Sequence, residues 1–174
     1  MTLQGAIFDL DLTLIASAAA EPYRKRRQWP RVYSMVPSLK PYDGVEEILE
    51  WLRQQEIKTA IVTSSPRSYC SRVIAQWGWK VDATICYHDT TLRKPHPQPI
   101  LKVLQELSVP PQNAVAIGDA PADIISAKAA GVFAIAARWG AIDGAALIAE
   151  DPDHVCDSLV DLSNYLKSRE LREV

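Results

Sequence analysis

The sequence predicts an α/β fold, a parallel sheet of about five strands with helices on both faces, and three observations carry that reading. Short apolar, β-prone runs alternate with longer segments whose apolar residues recur at helical spacing, the pattern of strand-helix-strand units joined by right-handed crossovers. Polar residues suited to chemistry follow those runs, where the C-terminal edge of a parallel sheet opens its ligand crevice. At 174 residues and 48% hydrophobic content the chain can bury one core and add little more than a small lobe, so residues 1–174 read as a single domain.

Residues 2–8 form the first apolar run, and Asp9 and Asp11 follow it at alternate positions of a strand tip. Residues 17–41 have no clean period and carry Pro22, Pro30, Pro37 and Pro41, which marks a short insert. Asp43 and Glu46 make a capping-box-like start to a helix on which Val45, Ile48, Leu49 and Leu52 share a face. The second strand spans residues 58–63. Ser65-Pro66 then supplies an N-cap with proline at the first helical position, and Gly78 ends that helix. Residues 81–87 are the third strand, and Ile100, Val103, Leu104 and Leu107 repeat at helical spacing behind Pro97 until Pro110-Pro111. Residues 114–117 form the fourth strand, which runs through Gly118-Asp119 into a helix from Pro121 to Gly131; residues 132–136 are the fifth. Leu159, Leu162 and Leu166 mark a C-terminal helix whose last charged residues are expected to fray.

A formal net charge of −2 gives no global bias toward nucleic acid or a membrane surface. Cys70, Cys86 and Cys156 are an odd set with no Cys-x-x-Cys pair, which argues against a disulfide framework or zinc knuckle and fits a reducing cytoplasm. The apolar stretch 3–20 ends in a run of small residues like an export signal. Asp9 and Asp11 interrupt it and no basic residue precedes it, so it reads as core strand and loop.

The candidate chemistry collects at strand ends and in one loop. Asp9, Asp11 and Thr13 follow the first strand; Thr63, Ser64 and Ser65 follow the second; Arg93, Lys94 and His96 lie in a loop; Asp119 and Asp123 follow the fourth strand. Singly, each group has an ordinary reading: the hydroxyls cap a helix, Lys94 is a solvated cation, and Asp123 favours a helix N-terminus. Together they converge on one sheet edge. Three crowded carboxylates repel unless they share a cation, and hard oxygen ligands without His or Cys point to magnesium. One lysine and several hydroxyls make a phosphate pocket, a set suited to phosphoryl transfer.

The order Phe8-Asp9-Leu10-Asp11-Leu12-Thr13, a strand ending in Thr63, Lys94-Pro95, and Gly118-Asp119-Ala120-Pro121-Ala122-Asp123 resembles the four motifs of the haloacid dehalogenase superfamily. Residues 42–166, with the Arg138-Trp139-Gly140 loop and Asp153-His154-Val155, are similar to its phosphoglycolate-phosphatase-like members. The resemblance implies a Rossmann-like core and a magnesium-dependent phosphatase working through an aspartyl-phosphate. Asp9 would be the nucleophile and Asp11 the general acid and then base. The Asp9 carboxylate, the Asp11 backbone carbonyl and the Asp119 carboxylate would hold the metal. Thr63 would bind a phosphoryl oxygen, with Ser64 beside it; Lys94 would neutralise charge, and Asp123 would steady Lys94 or a metal-bound water. True dehalogenases and P-type ATPases of the superfamily lack an acid at the position of Asp11, so its presence implies hydrolysis by water.

The sequence departs from that pattern at Leu12, where many relatives have glycine, and in the insert, which is too short for a four-helix cap and implies an open or minimally capped site. The insert carries Arg24, Lys25, Arg26, Arg27 and Arg31 among Tyr23, Trp29 and Tyr33. Arg26 and Arg27 are expected to steer an anionic substrate, with Trp139 in the loop 137–142 adding selectivity. The substrate expected is a small phosphorylated molecule, with phosphoproteins as a second class. The alternative is a non-catalytic scaffold that keeps the phosphate site and docks an acidic partner on its basic insert.

Overall fold

In the computed structural model, which describes residues 2–170, β1 (Gly5–Phe8) is four consecutive buried residues inside an all-parallel sheet. The other strands are β2 (Lys58–Val62), β3 (Ala83–Ile85), β4 (Ala114–Gly118), β5 (Phe133–Ala137) and β6 (His154–Cys156), in the spatial order β3-β2-β1-β4-β5-β6. The sheet therefore has six strands where the sequence suggested about five. The extra one, β6, is His154-Val155-Cys156 between Asp153 and Asp157, with no longer apolar run around it of the kind that marks residues 81–87. β1 pairs with β2 on one side and β4 on the other, with Phe8 opposite Ile61 and Ile117. The strand order reverses between β1 and β4, so a crevice opens beyond their tips.

The pleat sends alternate residues to opposite faces. Ala6 and Phe8 join a core with α3 (Val45–Gln54), α4 (Arg67–Trp77) and α8 (Leu159–Glu170), whereas Ile7 packs with α5 (Gln98–Leu107), α6 (Pro121–Ala129) and α7 (Gly144–Ala149). The helical-period residues Ile48, Leu52, Ile100, Val103 and Leu104 lie buried on those faces. The fraying expected at the end of the chain concerns residues 171–174, outside the described residues.

Two helix starts differ from the sequence expectation. α3 begins at Val45 after Gly44, whose φ of 97° turns the chain in, and no side chain caps it. α4 begins at Arg67 with an extended Pro66 before it and no side-chain cap, because the Ser65 hydroxyl is turned to another partner. The strands also fall short of their expected ends, β1 starting at Gly5 and β3 covering only Ala83–Ile85.

Residues 17–41 hold two short helices, α1 (Glu21–Lys25) and α2 (Trp29–Met35), flanked by 3₁₀ turns. The segment leaves and rejoins the core through a pinched neck: the Ala16 N–H donates to the Lys40 carbonyl (2.8 Å) and the Tyr42 N–H to the Leu14 carbonyl (3.1 Å). Ala20, Val32, Val36 and Leu39 are buried in the same core as Phe8 and Tyr69.

Candidate active site

Asp9 leaves the tip of β1 with its N–H bonded to the Ile117 carbonyl of β4 (2.9 Å), which holds its side chain over the reversal point of the sheet. Lys94 reaches the same place from the loop before α5. Its ammonium donates to Asp9 Oδ1 (2.7 Å), to Asp123 Oδ1 (2.5 Å) and to the Val62 carbonyl (2.9 Å). Asp123, in the first turn of α6, also accepts from the Ala120 N–H (3.0 Å), so both its oxygens are engaged. A Cβ on Gly118 would lie 2.3 Å from the Asp123 Cβ, so the close approach that places Asp123 requires glycine at the end of β4. Asp119 accepts from the Thr13 hydroxyl (2.9 Å).

Asp9, Asp119 and Asp123 each present an oxygen within 4.8 Å of the others. Burial pushes the Asp9 carboxyl up to about 7; Lys94 opposes that rise and Asp123 adds to it. Burial, then the charges of Asp9 and Asp123, push Asp119 up to about 8. Burial works against the Lys94 charge, but Asp123 and Asp9 more than offset it and hold the ammonium above its ordinary value. One lysine cannot balance three carboxylates. With Asp123 taken up by Lys94 and Ala120, the Asp9 and Asp119 oxygens that bind neither Lys94 nor Thr13 remain for a hard divalent cation. The donor set fits magnesium.

Asp11 is not part of that cluster. Its side chain is buried and accepts from Ser65 Oγ (2.8 Å), the Tyr69 hydroxyl (2.8 Å) and Arg24 Nη2 (3.0 Å). Burial first, then the Asp11 charge, raises the Tyr69 hydroxyl above its ordinary value, so it remains a donor. Leu12 follows in the left-handed region (φ 64°), a conformation that glycine adopts without cost. Its buried side chain compensates, and its carbonyl is pressed so closely by Gly140 that a Cβ there would fall 1.5 Å from the oxygen.

A cavity of about 200 Å³ unites most of the expected residues: Asp9, Asp11, Thr63, Ser64, Lys94, Asp119 and Asp123 line it. Thr63 is buried and accepts from the Ser65 N–H (3.1 Å), whereas Ser64 is exposed. Three expected substrate residues are elsewhere. Arg26 is exposed and lines neither this cavity nor the one beside it, Arg27 lines only the neighbouring one, and the Trp139 indole donates to the Thr13 carbonyl (3.0 Å), bracing the loop behind the acids. From the loop of Trp139 it is Ile142 that reaches the cavity. Arg24, Glu21 and Tyr69 had not been singled out. A run of basic residues carries no signal of which member turns inward, and a tyrosine within a helical segment carries none that its hydroxyl will meet Asp11.

The insert spends much of its charge internally. Arg24 pairs with Asp11 and Glu21, Lys25 with Glu21, and Arg31 lies over the Tyr23 ring at 4.1 Å. Among the described residues this leaves Arg26 and Arg27 as the insert's arginines without an ion pair or a ring beneath them. Among the described residues no helix is long and apolar enough to cross a membrane.

Comparison with known proteins gives one family, two relatives and one solved structure. The sequence model of the family described as haloacid dehalogenase-like hydrolase matches residues 16–137, beginning after Asp9 and Asp11. A Caldanaerobacter subterraneus subsp. tengcongensis protein provisionally named the pyrophosphatase PpaX is 35% identical over 127 residues, covering 72% of this chain and 58% of that protein. A phosphoglycolate phosphatase of Xanthomonas campestris pv. campestris is 37% identical over 101 residues, 57% of this chain and 46% of that protein. The chain thus spans about half the length of the curated relatives it matches. The crystal structure of a Lactobacillus plantarum protein, provisionally named a phosphoglycolate phosphatase, superposes with a TM-score of 0.80 at 27% identity, over 94% of this chain and 99% of that one.

Proposed function

We propose, from the premise that the chain belongs to the haloacid dehalogenase-like hydrolase family, that it is a magnesium-dependent phosphatase that cleaves a phosphate monoester through an aspartyl-phosphate. The observation that carries the reading is the meeting of Asp9, Lys94 and Asp119 beyond the tips of β1 and β4, with both carboxyl groups pushed up by burial. Membership of the family and the kinship with phosphatases support the reaction class; the geometry supports the assignment of roles.

Asp9 is the nucleophile. One of its oxygens bonds to phosphorus while the phosphorus bond to the leaving oxygen breaks, and Lys94, fixed between Asp9 and Asp123, offsets the negative charge that spreads over the phosphoryl oxygens. Asp9 and Asp119, with the Asp11 backbone carbonyl, would hold magnesium, which when bound supplies a charge that neutralises the phosphoryl group. Thr63 and Ser64 line the phosphate cavity and offer hydroxyl donors to the phosphoryl oxygens. Asp11 gives its proton to the departing oxygen and then takes one from the water that attacks the aspartyl-phosphate, a role contributing about 10²–10⁴-fold. To do so it turns from Ser65, Tyr69 and Arg24 toward the cavity. The residues 17–41 act as a minimal cap, and the substrate is a small phosphorylated molecule.

The test is release of inorganic phosphate from p-nitrophenyl phosphate, with magnesium and with excess chelator, by the wild type and by Asp9→Asn. Turnover that needs magnesium and vanishes in a folded Asp9→Asn protein is expected; unimpaired release by that variant would sink the mechanism.

A further inference from the structure

We propose that Cys70 and Cys86 form a redox-active dithiol, a modification site that a hydroperoxide converts into an intramolecular disulfide, with Cys86 as the sulfur that meets the oxidant. The bridge itself does not depend on the phosphatase reading; its effect on Asp11 does.

Cys70 lies in the first turn of α4, just past Arg67, and Cys86 follows the end of β3. Arg67 fastens the two elements together. Its guanidinium donates to the Thr84 hydroxyl (2.9 Å), the Thr84 carbonyl (3.0 Å) and Asp89, and Asp89 accepts in turn from the Cys86 N–H (2.7 Å). The Tyr87 N–H closes the same seam on the Ser65 carbonyl (3.0 Å). Both cysteine side chains are buried in one core, and the Cys70 thiol donates to the Cys86 sulfur. Two sulfurs in that contact, on elements already fixed side by side, are a short movement from the bonded separation of about 2 Å. Cys156 lies in β6, at the opposite edge of the sheet from β3, about 24 Å away at five strand spacings, and is out of reach of Cys86.

The two thiols are unequal, and one of them can be reached. The hydrogen bond from Cys70 holds the Cys86 thiol below its ordinary value; burial opposes that, and the Arg67 charge adds to it. The same bond, then burial, holds Cys70 above its ordinary value. A thiolate near an arginine is the reactive form of cysteine. Cys156, pushed up to about 12 by burial and then by Asp161 and Asp157, is the inert kind. A cavity of about 10 Å³, about the least that holds a water molecule, touches Cys86 and is lined also by Thr63, Ser64 and Lys94, which line the catalytic cavity as well. An oxidant as small as hydrogen peroxide thus has a route to Cys86 from the crevice.

The reaction balances in two steps. The Cys86 thiolate attacks one peroxide oxygen, the O–O bond breaks, and the hydroxide released takes up the proton that Cys86 gave away, leaving a sulfenic acid and a water. The Cys70 sulfur then attacks the Cys86 sulfur, the S–O bond breaks, and the departing hydroxide takes the Cys70 proton as a second water. Two thiols lose two electrons and the peroxide gains them. Cys70 adjoins Tyr69, and Cys86 adjoins Tyr87, whose N–H holds Ser65; Tyr69 and Ser65 both grip Asp11. Drawing the sulfurs together shifts that grip, so the bridge acts on the release of Asp11 toward the cavity.

The experiment treats the reduced full chain with hydrogen peroxide, blocks the remaining thiols with N-ethylmaleimide in denaturant and maps the peptides by mass spectrometry without reduction. The peptides of Cys70 and Cys86 should appear joined, lighter by two hydrogens, at a yield independent of protein concentration, and dithiothreitol should part them; Cys156 should carry maleimide throughout. In Cys70→Ala, dimedone should trap a sulfenic acid at Cys86, whereas in Cys86→Ala the Cys70 thiol should stay reduced over the same time. Arg67→Gln should slow closure about threefold or more, the net of a smaller thiolate fraction and a more nucleophilic thiolate. In the bridged wild type, kcat/KM for an alkyl phosphate should fall about threefold or more relative to p-nitrophenyl phosphate and recover with dithiothreitol; an unchanged ratio would overturn the link to Asp11. No bridge in a protein that circular dichroism shows to be folded, a bridge to Cys156 or between chains in its place, or sulfenic acid at Cys70 rather than Cys86 would overturn the dithiol. A bridge in a protein that releases phosphate from nothing would leave the dithiol standing and remove the phosphatase reading; magnesium-dependent release by a protein whose thiols never pair would do the reverse.

Discussion

Raising the pH from about 6 to about 8.5 in a chelator should weaken the fold, and saturating magnesium should remove most of that loss. The ordinary carboxyl value is 3.8, whereas burial holds Asp9 up to about 7 and Asp119 up to about 8. Between those limits the native protein binds more protons than the unfolded chain, so stability falls as the pH rises. The contribution is whole below about 4 and lost once the native values are passed. Each retained proton is worth about 1.4 kcal/mol per pH unit. Asp9 and Asp119 ionise as a coupled set, and a total loss of about 2–3 kcal/mol is expected over that range. For a chain of this size that is a fall in melting temperature of about 5–10 °C. Magnesium held by the ionised carboxylates, as proposed, would stabilise the native state alone, so thermal or urea unfolding at the two pH values should converge when it is present. Asp119→Asn removes one titrating group and should flatten the chelator series. A slope that is unchanged by both magnesium and Asp119→Asn would refute this account of the cluster.

Asp11→Asn should slow hydrolysis of alkyl phosphates more than of aryl phosphates, by about 10²-fold in the ratio of kcat/KM values, because a poor leaving group needs the proton; equal losses would argue that Asp11 is not the acid. Gly118→Ala brings a methyl to 2.3 Å from the Asp123 Cβ and should dislodge the partner of Lys94, cutting kcat by about tenfold or more while the fold survives. Gly140→Ala sets a methyl 1.5 Å from the Leu12 carbonyl oxygen, in backbone that cannot yield as a side chain can. It should cost about 3 kcal/mol or more by urea unfolding, and a wild-type midpoint would contradict the close contact.

The fold was legible wherever a local pattern carried its cause. Ile100, Val103 and Leu104 name a buried helix face by spacing alone, and the apolar run before Asp9 names a strand buried on both faces. What escaped depended on contacts distant in sequence. Ser65 looks like a helix cap until Asp11, 54 residues earlier, takes its hydroxyl. Arg24 is one of several cations until the turn of α1 points it at Asp11. Trp139 reads from its loop as a selectivity residue, but its indole is committed to Thr13, 126 residues away. The family resemblance likewise pointed to the acids that meet beyond the tips of β1 and β4 but could not supply the left-handed backbone at Arg27 or the cavity it lines, since both follow from how this short insert folds.

The pinched neck of residues 17–41 bears on the timing of a catalytic cycle. A cap on free hinges can swing aside, so that its opening sets the turnover rate and its closure shelters a reactive intermediate. Here the two hydrogen bonds at the neck and the burial of Val32 and Val36 beside Phe8 make such a swing costly, at about 1.5–3 kcal/mol for each apolar side chain exposed. Rearrangement is left to single side chains, such as Asp11 leaving Arg24, which move far faster than domains. On the proposed mechanism, an insert that does not swing would neither set the turnover rate by its opening nor seal a phosphorylated Asp9 from water, which would favour transfer to water over transfer to a second alcohol.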